Sequence, residues 1–556
     1  MSRGVVKMKK SDRVFGIDLG TTYSCISYVD DYGKVQVIPN ERNQRTTPSA
    51  VWFKEDNRVV VGDEAKEATV VEPNNVCQFV KRSMGDSSFY AVYSGEPRTP
   101  EEISSFILKK LAKDASEALG EEVGDVVITC PAYFFIKERN ATKRAGELAG
   151  LNVLHILNEP TAAAISYGLG AEGEDKTILV FDLGGGTFDV TSIHFGANED
   201  RVLFTDGDHR LGGKDWDDRL VRLIAERYQE ETGSGEDPLQ SQETLAELFL
   251  EAEKIKKQLS EREKTSVRFT YNEESVRFDV TREEFENITS DLLTRAIEFT
   301  RNIFEKTRET GELIREILLV GGSSKMPAVA RRIEQEFGMK PKLYDPDEAV
   351  ARGAGIFGNN LRLRKIAEEK TGKKITELTL DDYEDVAADC GYTLETVQKA
   401  MRTFSNVTSK TFGLGLHNPV KNEDAVYNYI YRDSPLPAIN NDPTSTRYEC
   451  QSNVLVEIYS NTRSKPDDFE SADVHWVPFD ECELIWKGVL DLPIKTLPKG
   501  STIETVFEIS EEGLLTVTVA EPKSGQSLVA KIDTTESADP IEKRAQEKRC
   551  SELILE

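Results

Sequence analysis

The chain has little of what would carry it to nucleic acid or into a bilayer. Its basic residues number 70 against 98 acidic ones, a formal charge of −28, and a surface of that sign repels phosphate backbones and anionic lipid. No window approaches the roughly eighteen consecutive apolar residues that a spanning helix needs. The opening MSRGVVKMKKSDR is basic, yet no apolar core of a signal peptide follows it. Cysteine is sparse as well. The residues at 25, 77, 130, 390, 450, 482 and 550 are odd in number, scattered and without metal-ligand spacing, which points to a reducing compartment and away from a zinc site. Nucleic acid and membrane are therefore set aside as main partners, and a cytoplasmic protein is expected. With 556 residues the chain is too long for one core, so about two to four domains are expected.

What is present is a repeated turn. In Thr177 to Val190, TILVFDLGGGTFDV, an apolar run ends at Asp182, passes Gly184, Gly185 and Gly186, and resumes at Thr187, which reads as strand, glycine turn, strand. Glycines let the backbone approach a ligand closely, so successive N–H groups can converge on a phosphate. An acid at the end of the incoming strand would repel bare phosphate and suggests a divalent cation between the two. Taken alone, the turn is equally an ordinary hairpin. Val14 to Tyr28, VFGIDLGTTYSCISY, repeats the pattern with Asp18 and Gly20, and a third apolar strand, Glu316 to Val320, runs into Gly321-Gly322-Ser323-Ser324-Lys325. A duplicated lobe around a nucleotide cleft becomes the better reading.

In chain order, residues 12 to about 170 and 176 to 357 each alternate strand-like and helical runs, an α/β body in two halves. Helices are expected around 101–119, 137–150, 160–168, 215–231, 242–260 and 282–309. Leu245, Leu248, Phe249, Ala252, Ile255 and Leu259 then form one buried face. Residues 359–405 are charged and helical, either a small two- or three-helix unit or a solvated spacer. From 406 to about 535 the chain turns β-rich, with alternation in Asn453–Tyr459 and Thr505–Ile509 and turns at Pro498-Lys499-Gly500 and Glu511-Glu512-Gly513, which suggests a β-sandwich. The tail from 536 to 556 has room for one short helix.

These words together resemble the heat-shock protein 70 (DnaK-type) chaperones. The resemblance rests on FGIDLGTTYSC, NERNQRTTPS, KRSMG, TCPAYF, ATKRAGELAGLNV, NEPTAAAISYGL, FDLGGGTFDV, LGGKDWD, LLVGGSS and DPDEAVARGA, and more loosely on KTFGLGL, YRDSPLP, VLVEIYS and LPKGSTIETVFEISEEGLLTVTV. It implies an actin-like (ribonuclease H-like) ATPase domain at 12–358, a connector at 359–405 and a β-sandwich at 406–535 that holds extended hydrophobic segments of unfolded polypeptides. It also implies ATP or ADP with Mg²⁺, K⁺ being a candidate companion ion, and a nucleotide-exchange factor as a further partner.

Carried over residue by residue, Gly20, Thr21, Thr22 and Tyr23 cradle phosphates from one lobe and Gly185, Gly186 and Thr187 from the other, with Gly213 also among the nucleotide-binding residues. Asp18 and Asp182 hold Mg²⁺ through its waters. Lys81, Glu159, Asp182, Thr187 and Asp189 form the catalytic group: Lys81 stabilises charge on the transferring phosphoryl, while Glu159 and Asp189 orient or deprotonate water. Glu253 and Lys256 contact the ribose and Ser260 the adenine edge, with Gly321, Gly322 and Ser323 against the nucleoside and Asp347 nearby. The family sandwiches adenine between two arginines where this chain has Lys257 and Lys325. An ammonium lacks the planar guanidinium face, so looser nucleotide binding is expected.

Other departures concern communication. Pro131 and Arg139 match the family's relay from nucleotide to linker, but the charged 359–405 segment stands where a short apolar linker is expected, leaving the coupling between sites open. His155 replaces the arginine that receives a J-domain cochaperone, so that partner is left open; a half-buried histidine ahead of Ile156 and Leu157 is the bland alternative. The helical lid over the peptide site is expected to be largely missing, which predicts fast peptide exchange. Fold alone also permits a sugar kinase or a filament-forming ATPase, and the altered linker permits a specialised or regulatory member with weak coupling. Lys81, Glu159, Asp182 and Asp189 favour hydrolysis.

Overall fold

Phe15 and Ile17 are fully buried on the strand that begins the first lobe, and the same burial recurs at Leu179 and Phe181 at the start of the second. The computed structural model describes residues 8–93, 95–168, 175–196, 199–466, 475–492, 497–511, 513–532 and 540–556. The first residues of the basic opening, Glu512 and the expected boundary at 535–536 lie outside them. In chain order the first lobe provides β1 (Val14–Asp18), β2 (Tyr23–Val29) and β3 (Val35–Val37), then a side sheet of β4 (Ala50–Phe53), β5 (Arg58–Val61) and β6 (Val76–Gln78), then β7 (Asp125–Cys130) and β8 (Asn152–Asn158). Its main sheet runs β8-β7-β1-β2-β3, parallel from β8 to β1 and antiparallel beyond.

The second lobe repeats this order. Strands β9 (Lys176–Leu183), β10 (Phe188–Phe195), β11 (Glu199–Asp208), β12 (Ile314–Val320) and β13 (Lys342–Leu343) run β13-β12-β9-β10-β11 with the same parallel and antiparallel halves. Helices α1 (Asp63–Ala68), α2 (Pro100–Leu119), α3 (Ile136–Leu148) and α4 (Glu159–Gly168) belong to the first lobe, and α5 (Gly213–Thr232), α6 (Gln242–Glu261) and α7 (Ser290–Glu309) to the second. Local chemistry sets their ends: Thr99 caps α2 in a box with Glu102, and Gly120 closes it. Of the face expected on α6, Leu248, Ala252, Ile255 and Leu259 are buried, while Leu245 and Phe249 are half-buried at its edge. The helix expected over 282–309 is broken at Thr289, whose hydroxyl donates to Phe285 O at 2.8 Å. Such back-bonding competes with the helical ladder.

Helix α8 (Ala349–Thr371) packs between the lobes and continues straight through position 358 into the connector. It meets α9 (Leu380–Cys390) and α10 (Leu394–Met401) around Leu363, Ala367, Val386, Val397 and Met401. Of the two readings left open for this segment, the structure has the helical unit. Thr379 and Thr393 cap its two short helices, and Gly391 ends the first at φ 71°. The chain then forms β14 (Thr403–Ser405), which pairs in parallel with Glu199–Arg201 of β11.

The sandwich holds β15 (Thr411–Asn418), β16 (Glu423–Ile430), β17 (Ala438–Asn440), β18 (Asn453–Asn461), β19 (Trp476–Val477), β20 (Glu483–Asp491), β21 (Thr502–Ile509), β22 (Leu515–Glu521) and β23 (Gln526–Ile532). Its sheets run β19-β16-β15-β18-β20 and β17-β21-β22-β23. Leu414, Ile458, Phe507 and Val517 fill the space between them, and Tyr429 stacks on Phe507 at 4.4 Å. The sandwich is docked on the ATPase body: Ile136, the first residue of α3, lies within the sandwich's own apolar cluster. Lys410 sits 3.6 Å over the Phe135 ring, and Arg432 and Asp433 pair with Asp206 and Lys306. The tail differs from its expectation. It forms α11 (Pro540–Ser551) and then β24 (Ile554–Leu555), which pairs in parallel with β5. No local pattern could announce a strand whose partner edge lies almost a whole chain away.

Candidate functional site

Between the lobes lies a cleft of about 560 Å³. Its floor is made by strand ends: β1 finishes on Asp18 and β9 one residue past Asp182, and each hands the chain to a glycine turn. The turns touch. A Cβ on Gly185 would lie 2.1 Å from Thr22 Oγ1, and one on Gly186 2.3 Å from Thr21 Cγ2, so only glycine lets the two lobes meet there. Gly321, at φ 78°, ends β12 against the Asp182 carboxylate, which a Cβ would approach to 2.4 Å.

The structure brings together on this floor Asp18, Lys81, Glu159 and Asp182, from the ends of four elements. Lys81 and Glu159 are buried and form an ion pair. Burial alone would lower the Lys81 pKa, but Glu159 and Asp18 hold it above its ordinary value. Asp18 accepts from Thr129 Oγ1 at 3.3 Å. Although it stays partly accessible from the cleft, desolvation, reinforced by Glu159, raises its pKa to about 7 against the pull of Lys81. Asp182 and Asp189 are pushed well above the carboxylate range, first by burial and then by Glu159. Asp189 sits just behind the floor, where Ala132 N–H donates to it at 2.8 Å.

One ammonium thus faces Asp18, Glu159, Asp182 and Asp189, a set that stays ionised together only if further positive charge arrives. Among the described residues no group of three or more His, Cys, Asp or Glu side chains is arranged to ligate a metal directly. The donor set fits Mg²⁺ nonetheless, because that ion keeps several waters and takes one or two carboxylates from outside them beside substrate phosphates. Behind the floor the buried Tyr133 hydroxyl stands beside Thr187 and Asp189, and burial, reinforced by Asp189, pushes its pKa well up.

Of the remaining residues singled out in the sequence, Gly20, Thr21, Thr22, Tyr23, Thr187, Gly322 and Ser323 line the cleft with Glu253, Lys256, Lys257, Ser260, Lys325 and Asp347. Gly186 and Gly213 stand beside it: Arg82 Nε donates to Gly186 O at 2.7 Å, and Lys256 Nζ donates to Gly213 O at 2.9 Å and to Asp217 Oδ2 at 2.7 Å. Burial, partly offset by Lys256, raises the Asp217 pKa to about 6. Across the mouth, Lys66 of α1 pairs with Glu253 of α6, and Tyr23 Oη donates to Glu253 Oε1 at 3.1 Å. Lys257 also pairs with Glu253 at 2.7 Å. Burial would raise the Glu253 pKa, but Lys66 and Lys257 take it down to about 2. At the other end Lys325 pairs with Asp347. Lys257 and Lys325, the two lysines expected at the adenine-stacking places, therefore both have their charge tied to a carboxylate.

Pro131 and Arg139 lie away from the cleft, on the side facing the sandwich. Pro131 O accepts from Phe134 N–H at 3.1 Å. Arg139 Nε donates to Phe134 O at 3.1 Å and its other end to Asn158, and its side chain faces Asn406 and Val407 across a small crevice. His155 is half-buried with its ring 4.9 Å from Phe357. Thr129, Tyr133, Arg82, Lys66 and Asp217 were not singled out from the sequence. Tyr133, Arg82 and Asp217 lie inside the words TCPAYF, KRSMG and LGGKDWD, which carried their signal; Thr129 shares the first of these, and Lys66 has none.

Comparison with known proteins agrees with this geometry. A family model described as Hsp70 protein matches residues 14–418. The chaperone protein DnaK of Thermotoga neapolitana is 36% identical over 541 residues, covering 94% of this chain and 80% of that one. That of Thermosipho melanesiensis is 33% identical over 533 residues, covering 93% and 79%. No helix among the described residues is long and apolar enough to cross a membrane. With an actin-like two-lobed ATPase, a β-sandwich for polypeptide clients and a cleft suited to ATP, ADP and Mg²⁺, the chain belongs to the Hsp70 family of ATP-hydrolysing chaperones.

Proposed function

We propose that Lys81, Glu159, Asp182, Thr187 and Asp189 carry the hydrolysis step and that its product state is transmitted to the sandwich through the segment 131–139. The observation that supports it is the buried ammonium of Lys81 facing Asp18, Glu159, Asp182 and Asp189 at the meeting point of two glycine turns. Gly20, Thr21, Thr22, Tyr23, Gly185, Gly186 and Thr187 present backbone and hydroxyl donors to the phosphates. Asp18 and Asp182 would hold Mg²⁺ through water, and the ion when bound neutralises β- and γ-phosphate charge. Lys81 turns from Glu159 toward the transferring phosphoryl and stabilises it. Glu159, released, and Asp189 orient the attacking water; its oxygen bonds to the γ-phosphorus as the bond to the bridging oxygen of ADP breaks, and a carboxylate takes its proton.

In this reading residues 12–358 are the ATPase domain, 359–405 the connector, 406–535 the client-binding sandwich and 536–556 a tail, in a cytoplasmic protein. The division is functional, since α8 crosses 358 without a break. A nucleotide-exchange factor would act on the mouth closed by Lys66 and Glu253. A J-domain partner would have to accept His155, its ring tilted against Phe357, in place of a free-standing guanidinium. The test is fluorescence anisotropy of a labelled leucine-rich extended peptide in ADP and then ATP, with phosphate release followed in wild type and Lys81→Ala. Faster peptide release in ATP and loss of phosphate production in Lys81→Ala are expected; peptide binding that ignores nucleotide would overturn the transmission through 131–139.

A further inference from the structure

Residues 540–556 are built into the first lobe. Ile554 N–H donates to Asn57 O and Glu556 N–H to Val59 O, each at 2.9 Å, in a parallel register that sets Ile554 opposite Arg58 and Leu555 opposite Val59. Cys550 and Leu553 are buried in the same apolar cluster as Val59, Phe106 and Ile107. Arg549 Nε donates at 2.8 Å to Oε1 of Glu102, whose side chain has no exposed surface. A carboxylate so enclosed needs a cation, and this one takes it from the far end of the chain. Arg144 holds Lys543 O at 3.1 Å, and Lys54 and Arg58 grip the Glu556 side chain.

We propose that the outer edge of β5 is a strand-acceptor site whose occupant is residues 552–556 of the same chain, and that this strap slows nucleotide release. An unpaired strand edge is a ready template for an added strand, and here the occupant's chemistry is specific: a basic residue for Glu102, apolar side chains for the cluster, an acid for Lys54 and Arg58. The link to the cleft is covalent and short. Strand β5 ends at Val61 and leads through Gly62 into α1, whose Lys66 closes the mouth against Glu253. Strand β6 of the same sheet leads through Phe79 to Lys81. Bracing this sheet from its open edge restrains both lysines at once. The sandwich is thereby attached to both lobes, through β14 on β11 of the second and β24 on β5 of the first. The effect on release rests on reading the cleft as the nucleotide site.

Ile554→Pro tests it in the full chain: the residue is 65% exposed, so the substitution removes the donor to Asn57 O with little loss of packing. Amide exchange should rise over 552–556 and 57–61, and release of a fluorescent ADP should quicken by about fivefold, the lower end of ordinary coupling. Glu556→Lys, which sets like charge against Lys54 and Arg58, should do the same where Ile554→Pro fails to fold. Arg549→Lys should stay nearer wild type than Arg549→Ala. Unchanged exchange overturns the strap, and raised exchange with unchanged ADP release overturns its control of the nucleotide. A dimer by light scattering that Ile554→Pro dissolves would mean that the strap crosses between copies, overturning the same-chain assignment. Phosphate production persisting in Lys81→Ala would sink the nucleotide reading, while the exchange result still judges the strap.

Discussion

The two lobes share a strand order and an Asp-Leu-Gly turn but differ in what surrounds the acid. Asp18 has Thr129 as a hydrogen-bond donor and stays partly open to the cleft, and desolvation raises its pKa to about 7. Asp182 lies deeper, pressed by Glu159 and Asp18, and is driven further up. The cation at the floor comes from the first lobe alone, on the short turn after β6. The shared strand order makes a symmetric cradle, and one lysine with its side sheet makes it asymmetric. The proposed hydrolysis chemistry sits in that asymmetry.

The largest break should come from removing it. Lys81→Ala should lower single-turnover ATP hydrolysis by about 10³-fold, the scale for losing a preorganised charge at the transition state, with ADP binding by calorimetry nearly retained. Next, Asp18→Asn and Asp182→Asn compare the two copies directly. If both act through water on Mg²⁺, each should weaken the Mg²⁺ dependence of hydrolysis by about 10- to 100-fold. A Mg²⁺ titration in which one of them behaves as wild type would show that a single lobe holds the ion.

A smaller effect joins the lobes at the mouth. Glu253 is held at about 2, below its ordinary value, so the unfolded chain binds more protons than the folded one between the two. Its contribution is therefore complete above the unfolded pKa and lost as pH falls toward 2. Glu253→Gln should destabilise the protein by about 2 kcal/mol near neutrality, and urea unfolding at pH 7, 5 and 3 should show that difference shrinking. A difference that does not change with pH would mean that the ion pairs of Lys66 and Lys257 contribute nothing. The smallest is Lys257→Arg with Lys325→Arg, expected to tighten ADP binding about threefold through guanidinium stacking. Because both lysines are tied to Glu253 and Asp347, unchanged affinity in titration calorimetry would mean that arginines are captured by the same carboxylates.

Much of the site was legible because it is local. The turns at Asp18 and Asp182 are short words in which an apolar run, an acid and glycines follow one another, and the cap at Thr99 needs only Glu102 three residues on. Lys81 and Glu159 were found only through the resemblance, since nothing in KRSMG or NEPTAAA states that residues 78 apart form a buried pair. Thr129 lay unremarked within TCPAYF and Lys66 in no such word: one threonine inside an apolar strand and one lysine on a short helix look like any others until the partner element is in place. The connector stayed undecided because charged helices of this length are marginal alone and persist by packing on α8.

By itself the sequence determined what neighbouring residues can decide: strand, turn and helix periods, the duplicated acid-glycine hairpins, and the sandwich alternation. Tertiary structure decided the pairings across long separations. It set Lys81 against Glu159, placed Ile136 inside the sandwich cluster and laid β24 along β5. The reason is that a strand edge or a buried carboxylate specifies what kind of group it needs, whereas only the closed chain, with its entropy of loop closure already spent, determines which distant residue supplies it.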